Sequence, residues 1–223
     1  MQEHPLTVSR SARYYTLGTI HPGVRQIWLV CHGYGQLAAR FLRHFEPLDD
    51  GRRLIIAPEG LSRFYVGDEP GTSHAGGQGK VGATWMTRED RSHEIDDYVR
   101  FLDEALAHAT SGLGRSTARL IALGFSQGAA TITRWAGRTR AAPADLVLWG
   151  GTVPEDADVS AGARAFGGAR LSLVIGTKDG YATDALVARE RSRLEGAGIP
   201  HRLIRFDGGH HLDDAVLVEL ARD

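Results

Sequence analysis

One serine of the chain lies in a pattern that suits nucleophilic catalysis. Residues 124–128 read Gly-Phe-Ser-Gln-Gly, a G-x-S-x-G pattern with Ser126 at its centre. The apolar run 120–123 predicts a short buried strand before it, and apolar residues at helical spacing over 129–136 predict a helix after it. Ser126 would then lie on a tight turn at the positive end of a helix dipole. Such patterns also arise by chance in glycine-rich chains, so the rest of the sequence must provide partners.

A serine hydroxyl is a weak nucleophile near neutral pH, so it needs a base and an acid that orients the base. Asp179 follows the apolar run 171–175, which predicts a strand, and His210 follows the last predicted strand. Both positions suit side chains that converge on the serine from different strands. A second histidine, His211, comes next in the sequence, and it would be the base if the register were shifted by one residue.

Length, charge, apolar runs and cysteine content limit the kinds of protein that this chain could be. The 223 residues fit one α/β domain spanning 1–223. The 26 basic and 27 acidic residues nearly balance, which argues against nucleic acid as a partner. No run reaches the ~18 apolar residues that a membrane helix needs, and residues 1–5 contain no apolar signal core. The lone Cys31 cannot form an intrachain disulfide, so we expect a cytoplasmic protein without stable membrane insertion. The sequence makes no prediction of oligomeric state.

Strand and helix patterns alternate along the chain. Apolar or alternating runs predict strands at 14–19, 26–31, 54–57, 120–123, 146–149, 171–175 and 201–206. Amphipathic runs predict helices at 38–45, 88–108, 129–136, 183–195 and 213–221. Such alternation implies an α/β fold, with a mostly parallel central sheet flanked by helices on both faces. Ligands bind beyond the carboxyl ends of the strands in such sheets. The polar clusters all follow predicted strands, at His32, Ser126, Asp179 and His210.

Five short segments together resemble the phospholipase/carboxylesterase branch of the α/β-hydrolases, which includes the acyl-protein thioesterases and small bacterial carboxylesterases. The segments are His-Gly-Tyr-Gly at 32–35, Gly-Phe-Ser-Gln-Gly at 124–128, Gly-Gly-Thr-Val-Pro at 150–154, Gly-Thr-Lys-Asp at 176–179 and Gly-His at 209–210. They run from the second strand to the last helix, so the resemblance covers nearly the whole domain. It implies the α/β-hydrolase fold.

The resemblance also implies a role for each catalytic candidate. Ser126 would be the nucleophile, Asp179 the orienting acid and His210 the base, in the chain order that α/β-hydrolases share. His210 is preferred to His211 because it directly follows the glycine pair, as in the relatives.

An oxyanion hole is implied in the same way, formed by the backbone N–H groups of Tyr34 and Gln127. A tetrahedral intermediate carries negative charge on the former carbonyl oxygen, and preorganised amides aimed there contribute ~3–4 kcal/mol each. Gln127 opens the predicted helix, where the first amides have no acceptor within the helix.

Residues 61–84 show no helix or strand pattern that we can assign, and the resemblance does not explain the glycine-rich part over 67–82. A structureless segment this long in a compact domain is usually functional or mobile. Five large apolar side chains are candidates for an acyl pocket: Leu37, Phe64, Tyr65, Trp85 and Met86. Large apolar residues more often belong to the core, so the pocket is a hypothesis.

Other reactive side chains have plainer interpretations. We expect Cys31 to be a buried thiol inside a strand. We expect His32 to be packed and hydrogen-bonded. The histidines and aspartates over 210–214 have no second cluster with metal-ligand spacing, so no metal is expected. The predicted chemistry requires no cofactor.

The sequence thus predicts a serine esterase that cleaves small-molecule carboxylic esters through an acyl-enzyme. One alternative is an acyl thioesterase or lysophospholipase that uses the same residues. Another is a non-catalytic α/β-hydrolase module that binds a small ligand. Such modules typically lack part of the triad, whereas this chain contains all three residue types in order.

Overall fold

A computed structural model describes residues 1–66, 79–113 and 117–222. The strands in these ranges are Tyr14–Leu17 (β1), Gln26–Cys31 (β2), Arg53–Pro58 (β3), Ser62–Val66 (β4), Lys80–Thr84 (β5), Arg119–Phe125 (β6), Asp145–Trp149 (β7), Arg170–Gly176 (β8) and His201–Phe206 (β9). Seven of them form one sheet in the order β1-β3-β2-β6-β7-β8-β9. Only the edge strand β1 is antiparallel to its neighbour. The predicted mostly parallel sheet is confirmed.

Helices cover both faces of this sheet. They are Ala38–Phe41 (α1), Arg91–Thr110 (α2), Gln127–Ala136 (α3), Asp184–Gly196 (α4) and Asp214–Leu220 (α5), with 3-10 segments at Leu42–Leu48, Ser111–Leu113 and Gly162–Gly168. One apolar cluster joins α2 and α3 to the sheet, and a second joins α1, Leu42–Leu48 and α5 to it. Neighbouring residues of β2 alternate between the two clusters, as the pleat of a strand requires. The predicted helix over 38–45 is α-helical only to Phe41 and continues as a 3-10 segment that contains Pro47.

Side-chain caps fix the far ends of two loops at the carboxyl edge of the sheet. Thr183 caps α4, where its hydroxyl accepts from the Leu186 N–H at 3.4 Å. Asp213 caps α5, where its carboxylate accepts from the Val216 N–H at 3.0 Å. These caps end the loops that carry Asp179 and His210.

A hairpin overturns part of the expectation for residues 61–84. β4 and β5 form a two-stranded antiparallel sheet, so the described ends of this stretch are strands. β5 escaped prediction because Gly82 interrupts it and glycine has low strand propensity. The glycine is needed there, since a β-carbon would lie 2.4 Å from the Gly35 carbonyl oxygen. The glycine-rich residues 67–78 lie outside the described residues.

Candidate active site

Ser126 lies between β6 and α3 in a strained backbone conformation. Its φ of 55° and ψ of −117° lie outside the regions that residues other than glycine usually adopt. The turn depends on small neighbours, because a β-carbon at Gly124 would lie 2.1 Å from the Gly128 carbonyl oxygen. The N–H of Ser126 donates to the Trp149 carbonyl oxygen at 2.8 Å. The backbone of the serine is therefore fixed at the carboxyl edge of the sheet.

The Asp179 carboxylate is buried and accepts three hydrogen bonds. Oδ1 accepts from the N–H groups of Tyr181 at 2.8 Å and Ala182 at 3.0 Å. Oδ2 pairs with Nδ1 of His210 at 2.8 Å. Burial alone would raise the pKa of this carboxyl, but the three donors outweigh burial and hold the pKa below its usual value. Asp179 is therefore ionised at neutral pH and oriented toward His210.

The His210 ring is held in one tautomer. Because a carboxylate can only accept, the nitrogen facing Asp179 carries the proton, and the neutral ring presents Nε2 as an acceptor. The loops of the two residues are also joined, since the Lys178 N–H donates to the Gly208 carbonyl oxygen at 2.8 Å. This approach requires Gly176, where a β-carbon would lie 2.3 Å from the same oxygen.

The serine hydroxyl and the imidazole are not hydrogen-bonded to each other in the described part of the chain. The two are neighbours nonetheless: the ring centroids of His210 and Phe125, the residue before the serine, lie 4.8 Å apart. Hydrogen bonds between catalytic groups are often long in ligand-free enzymes and shorten when substrate binds. The structure thus brings Asp179 and His210 together and places them beside the serine turn.

His211, the alternative base, has different surroundings. Its side chain is exposed, and its ring packs edge-on against Phe206 with centroids 5.5 Å apart. Its carbonyl oxygen accepts from the Trp149 indole N–H at 2.8 Å. The paired carboxylate lies at His210, so the geometry favours His210 as the base.

The predicted oxyanion residues Tyr34 and Gln127 both lie near residues 83–86, at the end of β5 and just after it. The N–H of Gly35 donates to the Ala83 carbonyl oxygen at 2.9 Å. The side-chain amide of Gln127 donates to the Met86 carbonyl oxygen at 3.0 Å. In the described part of the chain, neither the Tyr34 N–H nor the Gln127 N–H donates to a protein acceptor, so the fold leaves both amides unused.

His32 is packed and hydrogen-bonded, as expected. Its Nδ1 donates to the Gly33 carbonyl oxygen at 2.8 Å, and its Nε2 accepts from the Gly60 N–H at 3.0 Å. Its ring stacks on Trp85 with centroids 4.9 Å apart, and burial lowers the pKa of the imidazole below its usual value. The neighbouring Cys31 thiol is fully buried, which raises its pKa and keeps it protonated.

Two of the five acyl-pocket candidates, Trp85 and Met86, pack in or against the apolar cluster that joins α2 and α3 to the sheet. Trp85 is 2% exposed, and its indole N–H donates to the His32 carbonyl oxygen at 2.8 Å. The Trp85 ring packs with core side chains, and its place in an acyl pocket stays a hypothesis. Met86 packs partly buried against the same cluster, with its Sδ 3.6 Å from Arg134.

The other three candidates lie around the hairpin of β4 and β5. The Phe64 ring lies against the Tyr34 ring with centroids 5.0 Å apart. Tyr65 is exposed and its ring lies over Gly79, where a β-carbon would be 2.5 Å from it. Leu37 lines a surface cleft of about 200 Å³ beside α1. Phe64 is thus in contact with an oxyanion residue.

A buried glutamate next to the site was missed by sequence reasoning. Glu59 follows β3 and is 1% exposed. Its Oε1 accepts from Arg13 at 2.7 Å and Arg63 at 2.6 Å, and its Oε2 accepts from the Ala38 N–H at 3.3 Å. Burial alone would raise the pKa of this carboxyl, but the two guanidinium groups outweigh burial and lower it. An acidic residue directly after an apolar strand was the available signal.

Tyr181 was also missed. It lies two residues after the orienting acid, and its ring centroid is 4.8 Å from that of His210. A tyrosine in a polar loop carries no sequence signal that separates it from any other surface tyrosine.

The described residues contain neither a grouped set of metal ligands nor a helix that could cross a membrane. Within residues 1–66, 79–113 and 117–222, no three His, Cys, Asp or Glu side chains are grouped as a bound metal ion would require. No helix within the same ranges is both long enough and apolar enough to cross a membrane.

The strand order, the serine on a strand-to-helix turn, and the acid and histidine on later loops define the class: the chain has the α/β-hydrolase fold. It matches the crystal structure of esterase PE8 with a TM-score of 0.70 and 19% identity, over 96% of this chain and 99% of that one. It also matches a carboxylesterase from Mesorhizobium loti with a TM-score of 0.68 and 17% identity, over 98% of this chain and 97% of that one. Acyl-protein thioesterase 2 from Zea mays matches with a TM-score of 0.65 and 18% identity, over 95% and 97%. No protein-family model and no curated protein matches the chain.

Proposed function

We propose that this protein is a serine hydrolase that cleaves small-molecule carboxylic esters through an acyl-enzyme on Ser126. One observation carries the proposal. A serine in a strained turn lies beside an imidazole whose Nδ1 is 2.8 Å from a buried, ionised carboxylate. Strained backbone at a nucleophile and an acid–histidine pair next to it are what this chemistry requires.

The proposed reaction has two halves. In the first, the Ser126 hydroxyl attacks the acyl carbonyl while Nε2 of His210 takes its proton, and Asp179 stabilises the imidazolium that forms. The N–H groups of Tyr34 and Gln127 bind the oxyanion. His210 then donates its proton to the departing alcohol. In the second half, water loses a proton to the same imidazole and attacks the acyl carbon. The bond between that carbon and Ser126 Oγ then breaks, His210 returns the proton to Oγ, and the acid is released.

The first test is the Ser126→Ala variant assayed on p-nitrophenyl acetate. Turnover should fall to the background rate while the circular dichroism spectrum and the melting temperature stay near those of the wild type. The matched control is Ser111→Ala, which changes an exposed serine in a 3-10 turn. Wild-type turnover by the Ser126→Ala variant would refute the assignment.

A thioesterase is the second candidate, because acyl-protein thioesterase 2 is among the matching folds. The same residues would cleave an acyl–sulfur bond by the same steps. Paired oxygen and sulfur esters of one acyl group separate the two activities by their kcat/KM values.

A ligand-binding module without catalysis is the alternative from another class. A series of p-nitrophenyl esters of increasing acyl length tests it. Turnover of any member that depends on Ser126 excludes the binding module, and no turnover across the whole series supports it.

A further inference from the structure

The His210 imidazole has two aromatic neighbours, and they differ in exposure. The Phe125 ring lies 4.8 Å from the imidazole, centroid to centroid, with an interplanar angle of 40°. The Tyr181 ring also lies at 4.8 Å, with an angle of 50°. Phe125 is 6% exposed, whereas Tyr181 is 78% exposed. The imidazole therefore has one buried ring and one exposed ring as close neighbours.

Tyr181 also contacts the acid of the pair. Its backbone N–H donates to Oδ1 of Asp179 at 2.8 Å, while Oδ2 of the same carboxylate pairs with His210. One residue thus holds the carboxylate through its backbone and the imidazole through its ring. The mechanism proposed above assigns Tyr181 no role, although it contacts both members of the pair.

An exposed loop tyrosine usually keeps its side-chain freedom, because ordering it has an entropic cost. Here the ring lies 4.8 Å from the imidazole, centroid to centroid, where it would limit the rotation of the imidazole and shield one side of the hydrogen bond to Asp179 from water. The face of an aromatic ring also attracts a cation, and the imidazole becomes one when it takes the serine proton. The attraction favours the charged state that forms during the reaction, and the limited rotation keeps Nδ1 directed at Asp179.

We propose that Tyr181 is a positioning residue that covers His210 from the solvent side. This inference rests on the proposed function, because it assigns the imidazole the role of base. It predicts that the aromatic ring matters and that the phenolic hydroxyl does not.

The test compares Tyr181→Ala, Tyr181→Phe and Thr183→Ala, assayed on ethyl butyrate. An aliphatic ester is used so that Tyr181 cannot act by stacking on an aromatic leaving group. Tyr181→Ala should lower kcat about tenfold with KM changed less than about twofold, whereas Tyr181→Phe should stay within about twofold of the wild type. Thr183→Ala is the control, because it weakens the cap of α4 in the same loop while leaving the Tyr181 ring in place.

A second readout does not depend on turnover. Proton NMR of the resting protein should show a downfield signal from the proton between His210 and Asp179. The signal should be sharp in the wild type and in Tyr181→Phe, and broadened by exchange with water in Tyr181→Ala.

Three results would overturn the inference. One is a kcat of Tyr181→Ala equal to that of the wild type, another is an equal loss in Tyr181→Phe or Thr183→Ala, and the third is an unchanged NMR signal in Tyr181→Ala. Failure of the proposed function looks different. The wild type would then show no turnover that depends on Ser126, while the NMR signal would still report whether Tyr181 covers the imidazole.

Discussion

Two histidines follow strands at the same edge of the sheet, and their surroundings differ. Nδ1 of His32 is bonded to the Gly33 carbonyl oxygen, and Nδ1 of His210 is bonded to the Asp179 carboxylate. Nε2 of His32 accepts from the Gly60 N–H. In the described part of the chain, no protein group donates to Nε2 of His210.

This difference separates a structural histidine from a candidate base. The His32 ring is 0% exposed and both its nitrogens are engaged by neutral backbone groups, so protonation would break a hydrogen bond inside the core. The His210 ring is half-buried, faces an ionised carboxylate and presents its second nitrogen as an open acceptor. His32 and His210 both follow a strand. The hydrogen-bond partners of their ring nitrogens are what distinguish a structural histidine from a candidate base.

The largest effect should come from removing the His210 imidazole, whose Nε2 has no protein donor in the described part of the chain. We expect His210→Ala to lower kcat for p-nitrophenyl acetate about 10⁴-fold or more, because the proposed base is lost. Stability should change by less than about 1 kcal/mol. His211→Ala is the matched control and should stay within about threefold of the wild type. If His211→Ala were the inactive variant instead, the base would be His211 and not His210.

The next effect tests the carboxylate partner. Asp179→Asn should lower kcat by up to ~10⁴-fold with little change in KM, because an amide can donate to Nδ1 and so favour the wrong tautomer of His210. Kinetics over a range of substrate concentrations separate the two constants. A change in KM alone would mean that Asp179 contributes to binding and not to the tautomer.

A smaller effect, on stability instead of turnover, is expected from replacing His32, whose two ring nitrogens are both hydrogen-bonded. His32→Gln should lower the free energy of unfolding by about 2 kcal/mol, because buried partners at Gly33 or Gly60 lose a well-placed hydrogen bond. Activity of the folded variant should fall less than about tenfold. Urea unfolding and esterase assays on the same preparation measure both. A loss of activity as large as that of His210→Ala, with unchanged stability, would contradict the structural role.

The smallest effect is the pH dependence of stability that His32 adds. Burial lowers the pKa of this imidazole in the folded chain from 6.5, so the unfolded chain binds the proton more readily. Stability from this group is therefore full above about pH 6.5 and is lost as the pH falls toward the folded pKa, with a slope of up to about 1.4 kcal/mol per pH unit. Urea unfolding at pH 7.5 and pH 5.5 should show a smaller difference for His32→Gln than for the wild type. Equal differences would show that His32 does not carry this dependence.

Much of the sheet could be predicted because buried parallel strands are short apolar runs. The bounds predicted for 26–31 and 201–206 are those of β2 and β9. The hairpin could not be predicted in this way, because β4 is only partly buried and β5 contains a glycine that a neighbouring backbone requires. The pattern of apolar residues along a sequence indicates which segments are buried. The strands β4 and β5 depend instead on contacts with residues distant in sequence.

The candidate site shows the same division. The order of serine, acid and histidine along the chain, with their places after strands, indicated which residues would share one edge of the sheet. Sequence could not show that the Gln127 side chain binds the segment after β5 or that a tyrosine covers the imidazole. Both contacts depend on the path of loops, which has no periodicity to interpret.

Covalent labelling tests whether Ser126 is a nucleophile that His210 activates. The wild type, His210→Ala and His32→Gln are incubated with a fluorophosphonate, and the rate and position of the adduct are measured by mass spectrometry. We expect a single adduct on Ser126, formed at a similar rate in the wild type and His32→Gln and at least about a hundredfold more slowly in His210→Ala. An unmodified Ser126 in the wild type, or equal labelling rates in all three proteins, would contradict it.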